Sequence, residues 1–251
     1  MILLFTDFGW EGPNLGQLKT VLLAEARDVP VLDLMHDAPV FDPRRRIPLS
    51  ALSDRIPSGA VVLAVVDPGV GSVREAVALE ADGRWFVGPD KGLLVIVARR
   101  AAEWRAYEIV WRPENLSSTV HGRDLFAPVA ASPARGMGPG AGKLAEIPLK
   151  KVLREDWPDD LSEVIYIDRY GNAISGIRGE NLSPKDAVLV QKFDIQGEMT
   201  FSDVPDQALF WYVNSHGLVE IACNKGRAVN RLNLEVGTVI KTLANQPVTA
   251  G

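Results

Sequence analysis

The sequence is poor in the residue types that carry redox, metal and nucleic-acid chemistry. Its 251 residues include a single cysteine, Cys223, and three histidines, His36, His121 and His216. One thiol excludes a disulfide framework or a cysteine-based zinc site within the chain, and it suits a reducing compartment. Basic residues are not in excess. The 27 Lys and Arg stand against 32 Asp and Glu, a formal charge of −5, so no broad cationic face for nucleic acid is expected. Arg44, Arg45 and Arg46 form the one tight basic run, which reads as a solvated loop. No stretch approaches the ~18 apolar residues of a membrane span. The opening MILLFTDFGW lacks the charged leader and long apolar core of a secretion signal. The expectation is a cytoplasmic protein without membrane or nucleic-acid partners.

What is present is an ordinary globular balance, 47% hydrophobic and 24% charged, long enough to bury its own cores. Residues Ile2 to Phe5 and Ala60 to Val66 are uninterrupted apolar runs and read as buried strands, with Val29 to Leu34 a third. From Asn14 to Arg27, Leu15, Leu18, Leu22 and Ala26 recur at helical spacing, with Asn14 as the expected N-cap. Glu75 to Gly88 contains two β-prone runs around Ala81-Asp82-Gly83, a hairpin signal. Lys91 to Arg100 reads as a helix and Ala106 to Trp111 as a strand. Asp124 to Ala134 reads as the start of a further helix, shortened or kinked by Pro128. Strands alternating with helices point to an α/β layer around a largely parallel sheet. Gly136, Gly138, Pro139, Gly140 and Gly142 cluster, and a tract this rich in Gly and Pro marks a connection. The expected division is an α/β domain over 1–150 and a second domain over 156–251. In the latter, Val164 to Ile167, Ala187 to Phe193, Phe210 to Val213, Val219 to Ala222 and Val236 to Thr242 are short β-like runs, as in a small barrel or sandwich.

Three constellations stand out. In Val65-Val66-Asp67-Pro68-Gly69-Val70-Gly71-Ser72-Val73-Arg74 a strand runs directly into an acid, a proline and two glycines. An acid at the end of a parallel strand faces the usual ligand crevice of such sheets. A tight turn with a capping Asp is the bland alternative. The third glycine of a dinucleotide fingerprint is missing and a strand, not a helix, follows, so a Rossmann cofactor site is excluded. In Ser118-Thr119-Val120-His121-Gly122-Arg123-Asp124, a His-Gly pair in a polar connection is free to face a cavity, or is merely solvated. Arg123 and Asp124 read as a pair or a cap. Asp7, His36 and Pro89-Asp90 also follow strands, and several such ends on one sheet edge make a pocket. In Tyr166-Ile167-Asp168-Arg169-Tyr170-Gly171-Asn172 a strand ends in a hairpin-like turn or a nucleoside-binding edge, with Tyr170 to stack on a base and Asp168 and Asn172 to bond its rim. Asn214-Ser215-His216-Gly217 is a similar turn.

Together these motifs resemble the S-adenosyl-L-methionine hydroxide adenosyltransferases, relatives of fluorinating and chlorinating enzymes that act on the same substrate. The matching pieces are Thr6-Asp7-Phe8-Gly9, Val65 to Gly71 with Arg74, Gly88-Pro89-Asp90 with Gly92-Leu93-Leu94, His121-Gly122-Arg123-Asp124 with Phe126-Ala127-Pro128, Asp168 to Asn172, and Asn214 to Gly217. They cover nearly the whole chain. The resemblance implies an N-terminal α/β domain and a C-terminal β-barrel. It also implies a homotrimer with substrate sites formed between subunits. It implies a hydrolytic trio on Asp67, Arg74 and His121, a ribose-diol acid at Asp7, and a base-binding turn at Tyr170 and Asn172. Asp168 and Ser215 look like the residues holding the methionine portion, with Asn14 and His216 as further substrate contacts. The chain departs from the family pattern at Lys91, where Asn is common, at Val120, where Phe is common, along Gly12-Pro13-Asn14-Leu15, and at His216, where halogenating relatives often carry Arg.

The implied reaction is hydrolysis of S-adenosyl-L-methionine to adenosine and L-methionine by attack of activated water at the ribose 5′ carbon. The substrate needs no cofactor and no metal, because its sulfonium is already an activated leaving group. An aspartate, ordinarily titrating near ~3.9, is a weak base for water. An imidazole, near about 6.5, is a better one. Residue types alone leave open whether Asp67 or His121 takes the proton. Other readings are a halogenase of the same superfamily, a metal hydrolase using Asp7, His36, Asp90 and His121, and a non-catalytic binder of adenosyl ligands.

Overall fold

The computed structural model describes residues 1–40, 45, 47–68, 75–90, 92–139 and 142–243. Arg44, Arg46, Arg74, Lys91 and the 69–73 stretch lie outside the described residues. The chain divides into two compact units, Met1–Trp157 and Pro158–Gly251.

The first unit is built on a seven-stranded sheet. Its strands are β1 (Ile2–Thr6), β2 (Val31–Met35), β3 (Val61–Val65), β4 (Ala76–Ala81), β5 (Arg84–Pro89), β6 (Trp104–Ile109) and β7 (Leu144–Ile147), in the order β2-β1-β3-β5-β4-β6-β7. The pairs β1–β2, β1–β3 and β3–β5 are parallel. The β4–β5 hairpin turns the remaining pairs antiparallel. The sheet is therefore mixed rather than largely parallel, because a two-residue hairpin at Asp82-Gly83 replaces a crossover. Strand β7 lies directly after the Gly- and Pro-rich tract that reads as a connection.

Every residue of β1 and β3 is buried, as expected of strands covered on both faces. Alternation divides them. Ile2, Leu4, Val61, Leu63 and Val65 face one core with Leu18 and Leu22 of helix α1 (Asn14–Glu25) and Val129 of α4 (Ala127–Ala134). Leu3, Phe5, Val62 and Ala64 face the other with Leu49 of α2 (Ile47–Ser53) and Val97 of α3 (Val95–Arg100).

Two local expectations need correction. Asn14 is not the cap of α1. Pro13 holds the cap position with helical φ/ψ and no side-chain cap bond, and Asn14 is the first helical residue. The helix expected from Asp124 starts earlier, as a π-helical turn over Gly122–Phe126 in which the Ala127 amide donates to the Gly122 carbonyl. It becomes α-helical only at Ala127, where Pro128 occupies the first turn and its missing N–H costs nothing.

Polar side chains secure the ends of the parallel strands. His36, just after β2, has no exposed surface. Its Nε2 donates to Asp33 Oδ1 at 2.9 Å and its Nδ1 accepts from the Thr6 hydroxyl at 2.8 Å. Lys19 of α1 donates to the other oxygen of Asp33 at 2.8 Å. Burial raises the Asp33 carboxyl, but the hydrogen bonds from Lys19 and His36 outweigh it and leave the group below its ordinary range. The His36 carbonyl in turn accepts the Gly9 amide at 2.7 Å, fixing the chain beyond Asp7.

The second unit holds a four-stranded sheet, β12-β13-β9-β8, and a three-stranded sheet, β11-β10-β14. The strands are β8 (Leu161–Ile167), β9 (Ala173–Arg178), β10 (Ala187–Val190), β11 (Phe193–Gln196), β12 (Leu209–Val213), β13 (Leu218–Cys223) and β14 (Ile240–Leu243). Bridges Glu163–Val239 and Gly197–Trp211 join the two sheets at both seams, so the strands close into a small barrel. Val164, Val188, Val190, Trp211, Val219, Ile221 and Ile240 fill it. A short helix, α5 (Ala228–Leu232), packs against β13.

Two substitutions test this frame. A Cβ at Gly88 would sit 2.0 Å from the Ala64 carbonyl oxygen, a backbone atom of the paired strand that cannot step aside. Gly88→Ala should cost at least about 1–3 kcal/mol, read from urea unfolding. Asp33→Ala strands a buried imidazole N–H and should cost about 1–3 kcal/mol at neutral pH. Because the folded carboxyl titrates low, its electrostatic contribution is present above the ordinary carboxylate range and is lost as pH falls through the folded value. The stability gap between wild type and variant should narrow in acid unfolding titrations.

Candidate functional site

In the first unit the ends of β1 and β3 bring two of the expected acids together. Asp7 follows β1 and Asp67 follows β3. The Asp67 amide donates to Asp7 Oδ2 at 3.2 Å, and the Asp7 amide reaches the Val65 carbonyl at 3.4 Å. Both acids are partly buried. The register dictates this meeting, since Thr6 lies opposite Val65 and both chains leave the sheet just beyond.

His121 arrives from a different element. It precedes the π-helical turn and is partly buried. The turn is seated on the same strand ends, because a Cβ at Gly122 would lie 3.0 Å from the Phe8 ring and 3.3 Å from Val65 Cγ1. With glycine at 122 the backbone beside His121 comes close to both without displacing either side chain. Arg123 and Asp124 pair, with Arg123 Nε donating to Oδ1 at 2.5 Å and Nη2 to Oδ2 at 3.0 Å. The Ser117 amide also donates to Asp124, at 3.1 Å. The Arg123 bond chiefly, against an opposing effect of burial, holds the Asp124 carboxyl below its usual range. Arg123 further donates to Gln17 of α1 at 2.7 Å. The pair is a brace for the His121 turn. Arg74 lies outside the described residues.

Of the four residues proposed for a metal hydrolase, His36 and Asp90 are otherwise engaged. Both ring nitrogens of His36 are taken by Thr6 and Asp33, and Asp90 faces Arg154 at 3.5 Å. Asn14 is exposed on the first turn of α1.

In the second unit five expected substrate contacts, Asp168, Tyr170, Asn172, Ser215 and His216, line one hollow of about 920 Å³. Its floor is the outer face of the four-stranded sheet. Tyr166 pairs with Ile174, Ile174 with Glu220 and Glu220 with Tyr212, so one row of side chains crosses β8, β9, β13 and β12. All four line the hollow. The rim at Asp168–Asn172 is a hairpin turn. Asn172 donates to Asp168 through its amide at 2.8 Å and through Nδ2 at 3.3 Å. Gly171 has φ +81°, and a Cβ there would meet Arg227 at 2.9 Å. Arg227 donates to the Arg169 carbonyl at 2.7 Å, bracing the turn from outside. Asn172 is buried, while Tyr170 is 75% exposed and free to lie over a planar ligand.

Glu220, Tyr212 and Arg227 were not singled out from the sequence. Glu220 had a visible signal, a lone acid inside the apolar run Leu218-Val219-Glu220-Ile221-Ala222. Tyr212 and Arg227 had none.

Comparison with known proteins adds independent findings. Residues 2–141 match the SAM hydroxide adenosyltransferase N-terminal domain and residues 162–241 its C-terminal domain. The chain is 37% identical to an (R)-S-adenosyl-L-methionine hydrolase of Thermus thermophilus, over 95% of this chain and 97% of that protein. It is 35% identical to one of Salinispora tropica, over 95% and 96% respectively. A crystal structure of an uncharacterized conserved protein from Thermotoga maritima superposes with a TM-score of 0.83 at 29% identity, covering 97% of this chain and 100% of that one. With both domain patterns matched in order and relatives aligned over nearly their full length, the chain belongs to the SAM hydroxide adenosyltransferase family.

Proposed function

We propose that this protein hydrolyses S-adenosyl-L-methionine to adenosine and L-methionine. The observation that carries the reading is the meeting of Asp7 and Asp67 at adjoining strand ends, with the His121–Gly122 turn seated on the same ends. The relatives named as hydrolases of this substrate support it.

In this reading Asp7 holds the ribose diol. Asp67 and His121 hold one water molecule in line behind the ribose 5′ carbon, and one of the two takes its proton. The water oxygen forms a bond to that carbon as the carbon–sulfur bond breaks. The electron pair goes to sulfur, leaving methionine as a neutral thioether. Arg74 orients Asp67 and stabilises the developing hydroxide. Attack by an anion on a sulfonium cancels charge in the transition state, so a site that excludes bulk water accelerates it. In-line placement contributes further.

The hollow of the second unit is the binding counterpart. Tyr170 stacks on the adenine and Asn172 bonds its edge. Asp168 and Ser215 hold the amino-acid portion, and His216 follows Ser215 in sequence. The active assembly in this reading is a cytoplasmic homotrimer, three chains of 27.3 kDa, and light scattering should report three chains per particle rather than one.

Chemistry and binding separate by mutation. Asp67→Ala and His121→Ala should lower turnover by about 10²–10⁴-fold while calorimetry shows S-adenosyl-L-methionine still bound. Adenosine release is followed by chromatography, with and without chloride. Wild-type turnover in both variants removes the assignment, and a 5′-halogenated nucleoside as the product replaces the hydrolase with a halogenase.

A further inference from the structure

The hollow of the second unit contains a carboxylate to which the proposed reaction gives no part. Glu220 is 4% exposed, although it stands on the outer face of the barrel. A buried carboxylate is costly unless its oxygens are satisfied, and both are. The Tyr212 hydroxyl donates to Oε1 at 2.6 Å, and Asn214 Nδ2 donates to Oε2 at 2.8 Å. Burial, followed by the bond to Glu220, pushes the Tyr212 hydroxyl well above the ordinary tyrosine range, so it stays a donor at any working pH.

The second of these bonds leads out of the sheet. Asn214 is the first residue of the turn between β12 and β13. Its side-chain oxygen accepts the His216 amide at 2.9 Å and the Leu218 amide at 3.1 Å. Those two backbone donors require an oxygen, which fixes the amide orientation and leaves Nδ2 needing an acceptor. Glu220 supplies that acceptor. Ser215 and His216 are exposed side chains of this turn, and both line the hollow.

We propose that Glu220 is a positioning residue for substrate recognition: through Asn214 it locks the 214–217 turn so that Ser215 and His216 present a preformed surface to the amino-acid end of the substrate. The inference rests on the hydrolase reading above for what occupies the hollow. It does not rest on it for the link between Glu220 and the turn. Preorganisation of this kind lowers the ordering cost of binding. Its loss therefore appears in affinity for the part of the ligand the turn touches, and not in the chemical step.

The hydrogen-bond logic supplies a rescue. N214D sets a carboxylate against the Glu220 carboxylate and should open the turn. Adding E220Q restores it, because a glutamine amide donates to an aspartate that still accepts both backbone amides. E220A removes the acceptor outright. With S-adenosyl-L-methionine, N214D and E220A should raise KM by about tenfold with kcat changed little. N214D/E220Q should return KM to near the wild-type value. Affinity for adenosine, which lacks the amino-acid end, should stay near wild type in all three. Exchange of the His216 and Leu218 amides, followed by NMR on the folded protein, should quicken in N214D and slow again in the double variant. If N214D leaves KM and exchange unchanged, the positioning role is wrong. If adenosine affinity falls in parallel and the double variant rescues nothing, Glu220 merely supports the barrel, and the proposal is equally overturned. If wild-type protein releases no adenosine from S-adenosyl-L-methionine, the hydrolase reading fails, and the exchange data still decide the link from Glu220 to the turn.

Discussion

The parallel pairing of β1 with β3 governs the first unit. Both strands are buried on both faces, so their interiors admit no polar side chain and chemistry is confined to where they end. The register from Ile2–Val61 to Thr6–Val65 brings both chains to the edge of the sheet together. The next acids on each, Asp7 and Asp67, then meet. That bond spans 60 positions of sequence and needs no side chain from Asp67. Its amide serves Asp7. The neighbouring strand end is closed differently. His36 spends both ring nitrogens on Thr6 and Asp33, which makes it a structural strut and gives the β1–β2 junction a fixed polar core.

The π-helical turn before α4 belongs to the same logic. A π turn accommodates an extra residue within a helix and is often found at functional sites. Here it follows directly on His121, and Gly122 allows the backbone to press against Phe8 and Val65. The Arg123–Asp124 pair then ties the turn to α1 through Gln17. Residues adjacent in sequence thus divide the labour, one facing the strand ends and two holding the segment in place.

How much of this was legible in the sequence follows from how strongly each element depends on local pattern. Ile2–Thr6 and Val61–Val65 were plain because uninterrupted apolar runs have few other uses. The hairpin at Asp82-Gly83 was plain from its turn chemistry, yet its effect on the sheet, converting half of it to antiparallel pairing, is a matter of topology that no window contains. Strand β7 was hidden because four residues beside a Gly-rich tract carry no period and take their conformation from β6. Strand β9 was hidden by Gly176 and Ser175 in its middle. The cap of α1 was misplaced because Pro13 already has helical backbone angles, which moves the boundary one residue back. Among site residues, the acids at strand ends and the two polar turns were recognisable as motifs. Glu220 was not, since an acid in a strand ordinarily means a solvated face. Only the row Tyr166-Ile174-Glu220-Tyr212 reveals that this outer face is a floor.

The two units therefore fix the side chains of the proposed site by opposite means. In the first, apolar burial on both faces of the sheet makes the strand ends rigid, and polar groups need only short bonds to be held there. In the second, the face that lines the hollow lies outside the barrel core, where packing alone cannot order a four-residue turn. A chain of hydrogen bonds does the ordering instead, from the Tyr212 hydroxyl to the Glu220 carboxylate, from that carboxylate to Asn214, and from Asn214 to the amides of His216 and Leu218. Each link is directional, and no member can be replaced by an apolar group without leaving another unsatisfied. A turn built this way tolerates change at Ser215 and His216, whose backbone rather than side chains is held by Asn214. In the proposed reading, ligand preference can thus vary at those two positions while Glu220 and Asn214 keep the turn in shape.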